Sequence, residues 1–138
     1  MIQLGKDEIM LMNAFSNILG VNAKDCLIGN SMVSFVVKEN EMGNAIGKNG
    51  IKVQKLRKML NKNVELLPYS DDPKKFFSLA FAGINFSEIS MQENDGKKIL
   101  FAKTDLENRR KLLQNSGKMK RVKEIAKRNY EIGDIKIK

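Results

Sequence analysis

The amino-acid sequence predicts an α+β fold built twice along the chain, each half running helix, strand, strand, helix, tight turn, helix, strand. Three observations predict it: a helical apolar period opens each half, a hairpin signal follows it, and the apolar spacings of the second half repeat those of the first at a nearly constant offset.

The first helix is expected from about Lys6 to Leu19, where Ile9, Leu11, Met12, Phe15, Ile18 and Leu19 recur at helical spacing. Asp7 and Glu8 fall in its first turn, where carboxylates complement the helix dipole, and Gly20 offers a left-handed terminator. The matching helix of the second half starts at Asp72-Pro73, a capping side chain followed by proline at the first helical position. Phe76, Phe77, Leu79, Ala80 and Phe81 continue it, and Gly83 is expected to end it, 63 residues after Gly20.

After each helix comes a hairpin. In the first half Cys26-Leu27-Ile28 and the turn Gly29-Asn30 lead into Val33, Phe35 and Val37 alternating with Ser34 and Val36. In the second, Ile89 to Met91 and the turn Asp95-Gly96 lead into Ile99, Phe101 and Lys103. Phe35 matches Phe101 at an offset of 66, and the pair Val53, Leu56 returns as Val122, Ile125 at an offset of 69. Short strands are expected at Val64 to Leu67 and Ile135 to Ile137. The boundary falls at Tyr69-Ser70-Asp71-Asp72, giving halves 1–70 and 71–138; so short a connection predicts halves that pack together rather than swing on a tether.

Composition narrows the chemistry. With 42% hydrophobic and 30% charged residues the 138-residue chain is that of a globular protein, and no apolar run reaches the ~18 residues of a membrane span, so a cytoplasmic location is expected. Histidine is absent and Cys26 is the only cysteine. An intrachain disulfide, a Cys/His metal site and a histidine general base are thereby excluded, and Cys26 reads as a small core residue. No enzyme, metal or cofactor is expected; scattered acids such as Asp25, Glu39, Asp105 and Glu107 form no catalytic set.

The net charge of +9 is concentrated. Residues 42–62 carry Lys48, Lys52, Lys55, Arg57, Lys58 and Lys62 without one acid, and residues 109–128 carry nine cations against Glu124 alone, so the remaining 97 residues are net −5. Two short segments therefore create the positive field, which points to a polyanionic partner.

Gly47-Lys48-Asn49-Gly50 lies inside the first segment, between an apolar turn ending at Ile46 and a helix carrying Ile51, Val53, Leu56, Met59 and Leu60. Glycine at both ends tolerates positive φ and lets a nucleic-acid backbone approach the main chain, while the following helix offers unpaired N–H groups to phosphate. Lys48 adds charge at the tip; Lys52, Lys55, Lys58 and Lys62 are expected to line one flank, with Ile46 and Ile51 as an apolar floor for bases. A nucleotide P-loop requires glycine five residues before Gly47 and a hydroxyl after Lys48, where Met42 and Asn49 stand. Phe15, Phe35, Phe76, Phe81 and Phe101 are assigned to packing, and Tyr69 and Tyr130 are left open between packing and stacking.

In these features the sequence resembles the KH family, whose mark is helix, G-x-x-G, helix, strand with RNA held at the loop. Two strands and a helix precede the Gly47 turn and no room remains for a further strand before the next helix, which is the type II order αββααβ. Two tandem type II KH domains, each a three-stranded mixed sheet with helices on one face, resemble the archaeal NusA-like transcription factors over nearly all of residues 1–138. The resemblance implies a non-catalytic factor for transcription termination or antitermination that binds single-stranded nascent RNA, with RNA polymerase or other transcription factors as further partners. The expected RNA-binding residues are Ile46, Gly47, Lys48, Asn49, Gly50, Lys52, Lys55 and Lys58. At an offset of 69 the second copy reads Ser116-Gly117-Lys118-Met119, a degenerate loop without the two glycines. There Ser116, Gly117, Lys118, Lys120 and Arg121 are expected to reach RNA by side chains. Two alternatives stand beside this: a ribosome-assembly or ribosomal-RNA-binding KH protein, and a protein–protein adaptor acting through the second KH domain.

Overall fold

The computed structural model describes residues 5–138, so the first four residues of the first half lie outside the described residues. The chain forms two compact units that divide between Ser70 and Asp71. The class is α+β, with two three-stranded mixed sheets.

In the first unit α1 spans Lys6–Leu19 and ends on Gly20, whose φ of 78° and ψ of 8° make it the left-handed terminator that its position demands. Strands β1 (Asp25–Ile28) and β2 (Met32–Lys38) pair antiparallel, with Cys26 opposite Phe35. Helices α2 (Met42–Ile46) and α3 (Ile51–Leu60) follow, and β3 (Asn63–Tyr69) returns parallel to β2, setting Leu66 opposite Phe35. The order β1-β2-β3 leaves β3 at an edge. Phe15 and Leu19 from α1, Val53 and Leu56 from α3 and Val33, Phe35 and Val37 from β2 share one core. Phe15 stacks on Phe35 with ring centroids 4.5 Å apart. Ile9, by contrast, is 48% exposed and falls off the packed stripe of α1.

The alternation expected in β2 is not a burial alternation, because Ser34 and Val36 on the opposite face are buried as well. A central strand covered on both faces reads as a continuous apolar run, which Phe35-Val36-Val37 is. The Ser34 hydroxyl is satisfied by donating to the Glu65 carboxylate at 2.9 Å.

The second unit repeats this order with α4 (Pro73–Ala80), β4 (Glu88–Asn94), β5 (Lys97–Lys103), α5 (Leu106–Gln114), α6 (Ser116–Tyr130) and β6 (Ile132–Ile137). The Asp72 carboxylate caps α4 by accepting from the Lys74 amide at 3.0 Å. That helix ends at Ala80 rather than at Gly83, because Phe81 leaves the helical conformation at ψ 56°. Asp95 and Gly96 both take positive φ, 52° and 79°, the two-residue turn that matches strand twist. Strand β5 pairs antiparallel with β4 and parallel with β6. One extra residue, Gly133, enters β6 between the pairs Lys98 with Ile132 and Ile99 with Asp134. Phe76 and Phe81 are buried as expected, whereas Phe101 is half-buried beneath the Lys138 ammonium at 4.7 Å. Of the two open tyrosines, Tyr130 packs on Phe76 and Tyr69 lies under Lys24. Among the described residues no helix is long and apolar enough to cross a membrane.

Candidate nucleic-acid interface

Helix α2 is stopped by Gly47, whose φ of 74° and ψ of 174° belong to a region that only glycine occupies comfortably. Asn49 (φ 57°, ψ 25°) and Gly50 (φ 71°, ψ 16°) are left-handed, and α3 starts at the next residue. Three of the four turn residues thus have positive φ, a path that L side chains oppose and that Gly and Asn accept. The Gly47 amide closes α2 by donating to the Gly43 carbonyl, and the amides of Gly50 and Ile51 donate within the turn to the carbonyls of Gly47 and Lys48. Among the described residues, neither the Lys48 nor the Asn49 amide donates to a backbone carbonyl outside its own helical turn. Both residues are exposed at the tip, beside the positive end of the α3 dipole.

The turn opens into a cleft of about 280 Å³. Met42 and Ile46 from α2, Val53 from α3, and Val64 and Leu66 from the edge strand β3 supply its apolar walls, while Gln54 and Arg57 supply polar groups. Arg57 is held in place, its Nη2 donating to the Val64 carbonyl at 3.2 Å. An apolar slot with a glycine turn at one end and amide and guanidinium donors along its side suits unstacked bases whose phosphates rest on the turn.

Two expected members depart from this arrangement. Lys52 is not part of the lysine row: its ammonium donates to the carbonyls of Leu19 at 3.3 Å and Asn44 at 3.0 Å. Its stem crosses Gly47, where an added Cβ would come within 2.8 Å of the Lys52 Cγ. At about 100° per residue Lys52 lies toward the α1 side of α3, whereas Lys55 and Lys58 follow one another along an exposed flank. Lys62, expected on the same flank, lies beyond the end of the helix, past left-handed Asn61. Ile51 points away from the cleft and is 65% exposed, leaving Ile46 as the isoleucine of the apolar wall.

The largest correction is in the second unit. Ser116-Gly117-Lys118-Met119 is not a loop but the first turn of α6, and Asn115 alone (φ −99°, ψ 55°) makes the junction from α5. The Met119 amide bonds to the Asn115 carbonyl at 3.2 Å, and Gly117 has no positive φ. Without glycine at both ends, nothing prevents the helix from propagating back through these residues. A cleft of about 290 Å³ nevertheless lies between α5, α6 and β6, and Ser116 and Lys120 line it together with Arg109, Leu113, Met119 and Lys123. Gly117, Lys118 and Arg121 do not line it; the Lys118 ammonium lies over the Phe81 ring at 5.4 Å. Lys123 pairs with Asp134 at 3.5 Å. Burial works to raise the Asp134 carboxyl, but the hydrogen bond from the Ile135 amide and the charges of Lys123 and Lys97 outweigh it and hold the group below the ordinary carboxylate range.

Met42, Gln54, Arg57, Val64 and Leu66 were not singled out as site residues from sequence. Helical phase could have found two of them, since Gly50, Gln54 and Arg57 share a face at steps of four and three.

Comparison with known proteins decides the family. Residues 12–94 match the KH domain model. Over 137 residues the chain is 33% identical to the "Probable transcription termination protein NusA" of Methanocaldococcus jannaschii, covering 99% of this chain and 75% of that protein. This chain belongs to the KH domain family, among its archaeal NusA-like members. The protein of the same name from Halobacterium salinarum is 28% identical over 99% of this NusA-like chain and 98% of its own. The crystal structure of APE1850 superposes with a TM-score of 0.87 at 26% identity, covering 98% of this chain and 100% of that one.

Proposed function

We propose that this NusA-like chain binds single-stranded RNA and acts on nascent transcripts as a termination or antitermination factor, without catalysing a reaction. The two αββααβ units are tandem type II KH domains, the first with an intact G-x-x-G turn and the second without one. The relatives named as probable transcription termination proteins support this reading, and the observation that carries it is the turn Gly47-Lys48-Asn49-Gly50 opening into the apolar cleft. Phosphates rest on the amides of Lys48 and Asn49 and on the charges of Lys48, Lys55 and Lys58. Bases lie against Ile46, Met42 and Leu66, with Gln54 and Arg57 at their edges. In the second domain Ser116, Lys120 and their neighbours reach the backbone by side chains, because no bare main-chain turn is offered. RNA polymerase is the expected protein partner and the cytoplasm the expected compartment.

Gly50→Asp tests the reading. A Cβ there meets nothing within 4 Å, and although φ +71° strains any side chain, Asp tolerates the left-handed conformation better than most and favours the start of a helix, so a folded variant is expected, to be checked by circular dichroism. The new carboxylate repels phosphate, and RNA affinity is expected to fall at least about tenfold, a loss of ~1.4 kcal/mol or more. Fluorescence anisotropy with a labelled RNA measures it; unchanged affinity in a folded variant would overturn the assignment. Co-purification with pre-ribosomal particles instead of polymerase would move the function to ribosome assembly while keeping the RNA.

A further inference from the structure

The groove of the first unit does not end at Arg57. That side chain also borders a second, larger hollow of about 590 Å³ at the opposite end of α3 from the glycine turn. The side chains around it are all polar or cationic: the amides of Asn30, Asn61 and Asn63, the Ser31 hydroxyl, and the cations Arg57, Lys58 and Lys62, with no carboxylate and no apolar side chain. Cations in the last turn of a helix are explained by its dipole alone, but three amides converging from the β1–β2 turn, the end of α3 and the start of β3 are not. Their positions are fixed by the main chain. Asn61 is left-handed at the end of α3 (φ 52°, ψ 40°), and the Asn63 amide N–H bonds to the Ser31 carbonyl at 3.2 Å, joining the β1–β2 turn to β3.

We infer that this basin is a further nucleotide subsite, in which Lys62 takes a phosphate and the amides of Asn30, Asn61 and Asn63 take the edge of a base from the RNA strand that leaves the cleft past Arg57. The inference rests on the RNA-binding reading of that cleft. A side-chain amide presents a donor pair and an acceptor, the complement of a base edge, whereas the cleft itself meets bases with apolar walls and two polar groups. The KH turn grips about four nucleotides. The cleft already follows α3 from Gly50 to Arg57, and the last turn of the helix, to Leu60, carries the track about 5 Å further to the basin. Base preference is therefore set at the basin as well as in the cleft, since phosphate contacts carry no sequence information.

The test uses the full chain, labelled RNAs of four and eight nucleotides, and the double variant Lys62→Gln, Asn63→Ala, whose two side chains are exposed. The longer RNA is expected to bind the unaltered protein more tightly. In the variant that advantage shrinks, and the slope of log K against log salt becomes shallower by about 0.7, one phosphate's share, for the longer RNA only. With RNAs randomised at the outer positions, Asn63→Ala alone should flatten base preference there. Equal losses for both lengths, or no loss for either, would overturn the subsite while leaving the cleft intact. Failure of the unaltered protein to bind either RNA would instead remove the RNA-binding reading and the subsite with it.

Discussion

The junction between the two central helices is built differently in the two units. In the first, two glycines and Asn49 carry the chain through positive φ, and the helix restarts at Ile51. In the second, Asn115 alone makes the corner and α6 runs for 15 residues. Both units keep the same element order and the same sheet connectivity. Topology is therefore held by the apolar pattern of strands and helices, while the exposed main-chain turn depends on two residues that contribute nothing to the core.

Substitutions can break this contrast. The largest effect is expected from the pair Gly50→Asp and Gly117→Asp measured side by side: the first should lose RNA affinity about tenfold or more, and the second, exposed in a helical first turn, should lose little. Titration with the same labelled RNA distinguishes them, and equal losses would mean that charge alone, not main-chain geometry, holds the ligand. Next comes Gly47→Ala, which forces a side chain into a glycine-only conformation and against the Lys52 stem. A destabilisation of about 1–3 kcal/mol in urea unfolding is expected. Lys52→Met and Lys55→Met sharpen the comparison within one helix. Lys52→Met should lower stability by ~1 kcal/mol through its two lost hydrogen bonds with carbonyls, while Lys55→Met should leave stability unchanged and weaken RNA binding.

The smallest effect is expected at Asp134. Its carboxyl titrates below the ordinary range when folded, so its contribution is fully present above the unfolded value of about 3.9 and disappears as pH falls through the lower folded value. Asp134→Asn should therefore cost a few tenths of a kcal/mol at neutral pH, as partly exposed pairs do, and the difference from the unaltered protein should close on acidification below about pH 4. Chemical denaturation at several pH values measures this.

Most of the fold was legible because its punctuation is chemical. Gly20, Asp72-Pro73 and Asp95-Gly96 each mark a boundary by a conformational or capping requirement, and the structure uses all three. The Gly47–Gly50 turn was legible for the same reason. The second junction was not, because an offset counted from apolar residues fixes only the packed face of a helix. Where that helix begins depends on whether anything stops it, and Ser116 and Met119 do not. Lys52 was misplaced because steps of three and four put it in line with Lys55 on paper, whereas the carbonyls that bind its ammonium come from α1 and α2, distant in sequence or hidden by the turn. Arg57 and Leu66 came together only through the return of β3 beside α3, a tertiary juxtaposition that no local pattern encodes.

Lys52 has one more consequence. Its ammonium is bonded to neutral carbonyls inside one unit, so added electrolyte has little grip on it, while the outward cations proposed to hold a transcript are screened directly. The receptor's shape and its hold on the ligand thus answer to different variables, and a salt wash should strip off the transcript yet leave the emptied turn ready to bind again at once when the salt is removed.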